Sequence, residues 1–159
     1  MDGASYFMDK NSLLWLLNNL RKLLGTSLLI LGLLSQSSWA GVVVVVHPSV
    51  DAGAIDASQV SNIFLGKSNK LPSGNKITPI DQEEGEAPRD TFYLSVVKKD
   101  ASQLNAYWSR LIFTGKGQPP KAVLDDDEVV ELVASDPSVI GYISSEAVDD
   151  SVKVILEVK

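Results

Sequence analysis

The sequence predicts an α/β domain, a single unit with a mixed, largely parallel sheet flanked by helices. Three observations carry this expectation. Strand-like and helix-like segments alternate along most of the chain. One short run, Val42 to Val46, consists of five consecutive valines and suits a strand buried on both faces. Leu104, Tyr107, Trp108, Leu111 and Ile112 recur at helical spacing and form the clearest amphipathic face in the chain.

Residues 1–40 read differently from the rest. Arg21 and Lys22 precede an apolar run over residues 23–34, and the polar stretch SQSSWA follows. Ser38 and Ala40 place small residues where a signal peptidase requires them, with cleavage after Ala40. The alternative is a membrane anchor, but a span needs about 20 apolar residues and this run is shorter. The front extension MDGASYFMDKNSLLWLLNNL lengthens the basic region of the signal, unless translation begins at Met8. The expectation is a signal peptide over 1–40, a domain over 41–159, a periplasmic location and no stable membrane span after cleavage.

The whole chain has 159 residues and a formal net charge of −6. The leader holds three of the 14 basic residues and two of the 20 acidic ones, which leaves 11 against 18 in residues 41–159. An acidic surface argues against nucleic acid and anionic lipid as partners. With no cysteine, thiolate metal sites, disulfides and cysteine catalysis are excluded. About 120 residues suffice for one compact domain with one core.

The elements follow in order. GVVVVVHPS is a strand ended by His47, Pro48 and Ser49. In DASQVSNIFLGK, Asp56 is a helix cap with Gln59 three residues on; Val60, Ile63 and Phe64 share a face and Gly66 stops the helix. KSNKLPSGNK is a loop and KITPID a second strand. Pro88 suits a first helical turn and Lys98 with Lys99 a C-terminal end, so APRDTFYLSVVKK is a helix. Asp100 and Gln103 repeat the capping pattern before SQLNAYWSRLIF. TGKGQPPK is a loop, DDDEVVELVAS a helix closed by Asp136-Pro137, and SVIGYIS and VKVILEVK strands, with SSEAVDD a turn or short helix between them.

Few motifs point to chemistry. His47 is the sole histidine, so a hydrolytic triad would need it beside Ser49 and an orienting acid, and no G-x-S-x-G elbow accompanies it. The run Asp125, Asp126, Asp127, Glu128 lacks the alternation and glycine of a calcium loop and fits helix capping instead. TGKGQPPK lacks the spacing of a phosphate loop. No metal and no cofactor is expected. DQEEGEAPRDTFY is more informative, since a glycine turn opening a helix is a natural anion site. Arg89 lies in the first turn as a candidate anion partner, but Glu83, Glu84 and Glu86 oppose it.

Three phrases carry a family resemblance. Ile63-Phe64-Leu65-Gly66-Lys67 matches an I-[FY]-L-G-K phrase at a helix end, and Pro137 to Ile143 matches P-G-A-I-G-Y-V. Between them, DQEEGEAPRDTF occupies the place of R-x-x-G-S-G-T. In this order they resemble the second lobe of the phosphate-binding proteins that feed ABC importers. The resemblance runs from about Asp56 to Tyr142 and implies a domain similar to one lobe of a type II periplasmic binding protein. At the anion motif Gly85 matches, whereas Glu86, Ala87 and Pro88 replace serine, glycine and threonine, and Gln82 stands where the family has arginine. The hydroxyl donors and the guanidinium are gone.

Two functions remain open at this point. One is a non-enzymatic solute-binding-type domain with an altered, weak oxyanion site near Ser49, Gly85, Arg89 and Thr91, taking phosphate or another small oxyanion. The other is a periplasmic protein-interaction module that has lost anion binding and pairs with an envelope protein or a second copy. Gly141 and Tyr142 are expected to be structural, the glycine allowing close backbone approach.

Overall fold

The five valines form strand β1 (Val42–Val46), and their side chains alternate between two hydrophobic cores. Val42, Val44 and Val46 face one core, Val43 and Val45 the other. A computed structural model describes Leu14 and residues 41–158, so the predicted signal peptide lies outside the described residues apart from Leu14. Among them no helix is long and apolar enough to cross a membrane.

Four further strands complete the sheet: β2 (Thr78–Gln82), β3 (Lys121–Val123), β4 (Val139–Ser144) and β5 (Lys153–Val158). Their spatial order is β3-β2-β4-β1-β5. β2 pairs in parallel with β3 and β4, and β1 pairs antiparallel with β4 and β5. Four strands therefore run one way, with β1 reversed among them. The mixed, largely parallel sheet expected from the alternation of elements is present.

Helices α1 (Ala57–Phe64), α2 (Ala87–Phe92) and α3 (Ala101–Phe113) contribute to the core under Val42, Val44 and Val46. α4 (Asp126–Ser135) covers the other face through Val129 and Val133. Both expected capping boxes form: Asp56 accepts from the Gln59 N–H at 2.8 Å, and Asp100 from the Gln103 N–H at 2.8 Å. Gly66, at φ +68°, turns the chain out of α1 and lets the Trp108 ring approach to 3.4 Å of where a side chain would begin. Gly141 in β4 has a stricter role. A methyl there would stand 2.5 Å from Val129 Cγ1, so the glycine allows α4 to pack directly on the sheet.

The structure corrects the sequence reading at four places. The helix expected over residues 87–99 is α2 followed by a five-residue π turn, Tyr93–Val97, which ends at Lys98 in the left-handed region (φ 58°). β3 is a strand where no element was expected. It has three residues, follows two prolines and carries no apolar alternation, and its pairing with β2 defines it. β2 begins at Thr78, two residues later than the KITPID strand. On α3, Leu104 and Trp108 are buried and Tyr107 and Leu111 pack against the core, but Ile112 is 55% exposed. The apolar stripe is thus wider than the surface available to cover it.

Candidate functional site

In a parallel sheet, loops and helix starts gather beyond the carboxyl ends of the strands, which is where ligands of open α/β folds bind. Here β2 ends at Gln82, β3 at Val123 and β4 at Ser144, and α2 and α4 both begin beside them. Between these ends lies a shallow concavity of about 310 Å³ lined by Gln82, Ser144, Glu86, Pro88 and the three aspartates 125–127.

A buried polar network supports its floor. Asp81 and Gln82 are almost fully buried at the end of β2. Tyr93 donates its hydroxyl to Asp81 Oδ2 at 2.9 Å, and Tyr142 donates to Asp81 Oδ1. The Gln82 backbone N–H points to Asp81 Oδ1 at 2.9 Å and to the Tyr142 hydroxyl oxygen at 3.2 Å. Burial, with the neighbouring Asp81 charge second, pushes both tyrosine hydroxyls well above their ordinary ionisation range. The Phe92 and Tyr142 rings stack at 4.1 Å and Phe64 meets Phe92 edge-on at 4.6 Å, so aromatic packing fixes where these hydroxyls point.

Gln82 links this network to the mouth. Its Nε2 donates to Asp126 Oδ1 at 2.6 Å and to the Tyr142 carbonyl at 3.1 Å. Asp126 in turn accepts the Ser144 N–H at 3.2 Å. Asp126 therefore does more than start a helix: it ties α4 to β2 and to the end of β4. Asp125 is the true N-cap, accepting from the Glu128 N–H at 3.0 Å, while Glu128 reaches back to the Leu124 N–H at 2.8 Å. Glu86, the N-cap residue of α2, makes no side-chain cap bond and lines the concavity together with Asp127.

The four residues singled out from the sequence are distributed as follows. Gly85 occupies the turn that swings β2 into α2, at φ +102°, with open space around it. Thr91 is exposed one helical turn after Pro88 and shares its side of α2. Arg89 points inward, its Nε 3.5 Å from Asp81 Oδ2 and its guanidinium over the Tyr93 ring at 5.2 Å. The Asp81 contact is an ion pair without a hydrogen bond, since Arg89 Nε has no hydrogen-bond partner among the described residues. Ser49 stands apart from the other three. It follows β1, which runs against its neighbours: Val46 pairs with Ile140 near the start of β4, and Val42 with Ser144 at its end. The structure thus brings Gly85, Arg89 and Thr91 to one end of the sheet and Ser49 to the opposite end.

At that opposite end His47 and Ser49 form a local turn, with His47 Nδ1 2.8 Å from Ser49 Oγ and accepting the Ser49 N–H at 3.1 Å. No carboxylate among the described residues bonds the imidazole. Sequence reasoning missed Asp81, Tyr93 and Asp126. The only signal for Asp81 was a lone acid at the end of an apolar strand, and such a residue reads as a strand-terminating turn.

No family model and no curated protein matches the sequence. Solved structures do match in fold. An ABC-type phosphate transport receptor from Vibrio cholerae is similar over 72% of this chain and 45% of its own, with 20% identity and a TM-score of 0.56. A putative phosphate ABC transporter substrate-binding protein from Clostridium perfringens, with bound phosphate, is similar over 72% of this chain and 44% of its own, with 21% identity and a TM-score of 0.55. PstS from Borrelia burgdorferi gives 72% and 46%, 14% identity and a TM-score of 0.54. The chain resembles phosphate ABC transporter substrate-binding proteins in fold, as a lobe-like α/β domain. It spans less than half the length of these three structures.

Proposed function

We propose that the chain is an exported, non-enzymatic binding domain of the solute-binding type, whose oxyanion site is altered and weak. The observation that carries this reading is the use made of charge at the strand ends. Arg89, the basic residue nearest to Gly85 along the chain, pairs with buried Asp81. The concavity beside that turn is lined by Glu86 and three aspartates. A helix start attracts anions through its free N–H groups, but carboxylates within about a Debye length, roughly 10 Å, oppose them. An oxyanion would touch Gly85 and Thr91, with Arg89 contributing only on release from Asp81. Ser49, at the far end of the sheet, would take no part in that contact. The fold neighbours are binding proteins rather than enzymes, which supports the non-enzymatic reading.

Calorimetric titration with phosphate tests the proposal. The wild type should bind no tighter than about 1 mM, near −4 kcal/mol. Neutralising Glu86 and Asp127 together (E86Q/D127N) should strengthen binding by up to about thirtyfold, each charge being worth about 1 kcal/mol across 4 Å of water. Micromolar binding by the wild type would overturn the weak-site assignment, and no saturable heat in either protein would remove the solute-binding reading.

A second reading is a protein-interaction module pairing with an envelope protein or a second copy. What favours it is the end of α3, where Ile112 is 55% and Phe113 93% exposed, on a chain spanning less than half of its fold neighbours. Sedimentation is its test: a clean monomer at high concentration with no captured membrane partner argues against it.

A further inference from the structure

The chain turns from the π segment into α3 at Lys98, and a small concavity of about 150 Å³ lies in that corner, between α2 and the first turn of α3. It is separate from the mouth: Pro88 lines the mouth and Arg89 this concavity, and successive helix residues point about 100° apart. Its wall carries charges of both signs. Arg89 and Lys99 contribute two cations, and Asp90 and Asp100 two carboxylates. These four make no ion pair with one another, since the Arg89–Asp81 contact is the one ion pair among the described residues. Leu94, Leu104 and the Tyr93 ring supply apolar surface beside them.

Arg89 is held in place from two sides. Its side chain is only 11% exposed, its Nε faces Asp81, and its guanidinium lies 5.2 Å from the Tyr93 ring, itself part of the wall. No nitrogen of the guanidinium has a hydrogen-bond partner among the described residues, yet only Nε is fully enclosed. The two Nη groups therefore remain accessible, and they are what Arg89 can offer to the concavity it lines. Two parallel N–H donors on a fixed planar fork match a carboxylate. On the acidic side, Asp100 Oδ1 caps α3 at 2.8 Å from the Gln103 N–H, which leaves its other oxygen free. The Lys99 ammonium is engaged elsewhere, over the Tyr107 ring at 5.9 Å.

We propose that this corner binds a small zwitterion, a short aliphatic α-amino acid. Its carboxylate takes the Arg89 Nη pair, its ammonium lies between Asp90 and Asp100, and its side chain packs on Leu94 and Leu104. A cavity of about 150 Å³ holds a molecule of about benzene's size, the scale of such an amino acid. A simple anion would meet two carboxylates, and a simple cation would leave the Arg89 fork unused. The Arg89–Asp81 pair stays in place, so binding here makes no demand on the weak oxyanion site at the mouth.

The probes are L-valine and its two truncations, titrated calorimetrically into the full chain: 3-methylbutanoate lacks the ammonium and 2-methylpropylamine lacks the carboxylate. Valine should bind saturably at about 1 mM or below. Each truncation should bind at least about tenfold more weakly, the scale of one lost charge-assisted contact. Amide shifts on adding valine should centre on Tyr93, Leu94 and Ala101. Asp100→Asn keeps a good capping side chain, so together with Asp90→Asn it removes both charges with the cap of α3 retained. In D90N/D100N valine should weaken about tenfold while 3-methylbutanoate binds at least as tightly as before, opposite responses that a damaged fold does not give. E86Q/D127N, which alters the mouth, should bind valine as the wild type does. No saturation by valine up to about 10 mM, equal binding by either truncation, or an unchanged valine affinity in D90N/D100N would each overturn the proposal. A valine affinity that shifts in E86Q/D127N would place the ligand at the mouth and overturn it as well.

Discussion

Tyr93 and Tyr142 each donate a hydroxyl to Asp81, and their pKa values are raised in the fold by burial and by that carboxylate. A group whose folded pKa exceeds its unfolded one stabilises the fold below the unfolded pKa, and loses that contribution as pH rises above it. Stability should therefore hold up to about pH 10 and then fall by about 1.4 kcal/mol per pH unit for each tyrosine. Urea unfolding across pH 8–12 measures this. Tyr142→Phe should cost about 1.5–3 kcal/mol at neutral pH, and it should also halve the alkaline slope, which a packing defect alone would leave unchanged. Gly141 is the second residue where a few atoms decide the outcome. Gly141→Ala brings a methyl to 2.5 Å from Val129 Cγ1 and 3.4 Å from Ile80 Cγ1, and overpacking of this kind costs about 1–3 kcal/mol. Adding Val129→Ala should recover part of that loss in thermal unfolding.

At the scale of elements, the contact between α4 and the sheet has a polar end as well as an apolar face. Asp126 is held by Gln82 Nε2 and by the Ser144 N–H, so it fastens the start of α4 to β2 and β4. Asp126→Ala removes both acceptors and should destabilise by about 1–3 kcal/mol, with faster hydrogen exchange concentrated at the Ser144 amide. Asp127→Ala next to it makes no such bond and should stay within about 0.5 kcal/mol of the wild type. Adjacent acids in one run thus separate into a cap, a latch and a free charge. Capping chemistry made Asp125 legible in the sequence. The latch role of Asp126 was not legible, because its partners lie 44 and 18 residues away.

Across the whole molecule, the acidic balance and the reversed β1 shape what the domain can bind. The wall that the described domain presents at its strand ends carries carboxylates. Raising the ionic strength should therefore weaken phosphate binding less than in a site built on cations, because the same salt also screens the repelling acids. Titrations at low and moderate salt check this.

The sequence by itself determined the element types wherever local chemistry decides them: the valine strand, both capping boxes, the Gly66 stop, and the close-approach glycine in β4. Side-chain period, caps and positive-φ glycines act within a few residues and can be read in place. The tertiary structure alone decided the rest. It reversed β1, which separated Ser49 from Gly85, and it assigned the short β3, which exists only through pairing with β2. It also turned Arg89 from a candidate anion partner into the partner of Asp81. Each of these depends on groups far apart along the chain, and the free energy of burying and pairing them is set only when the sheet has closed over its core.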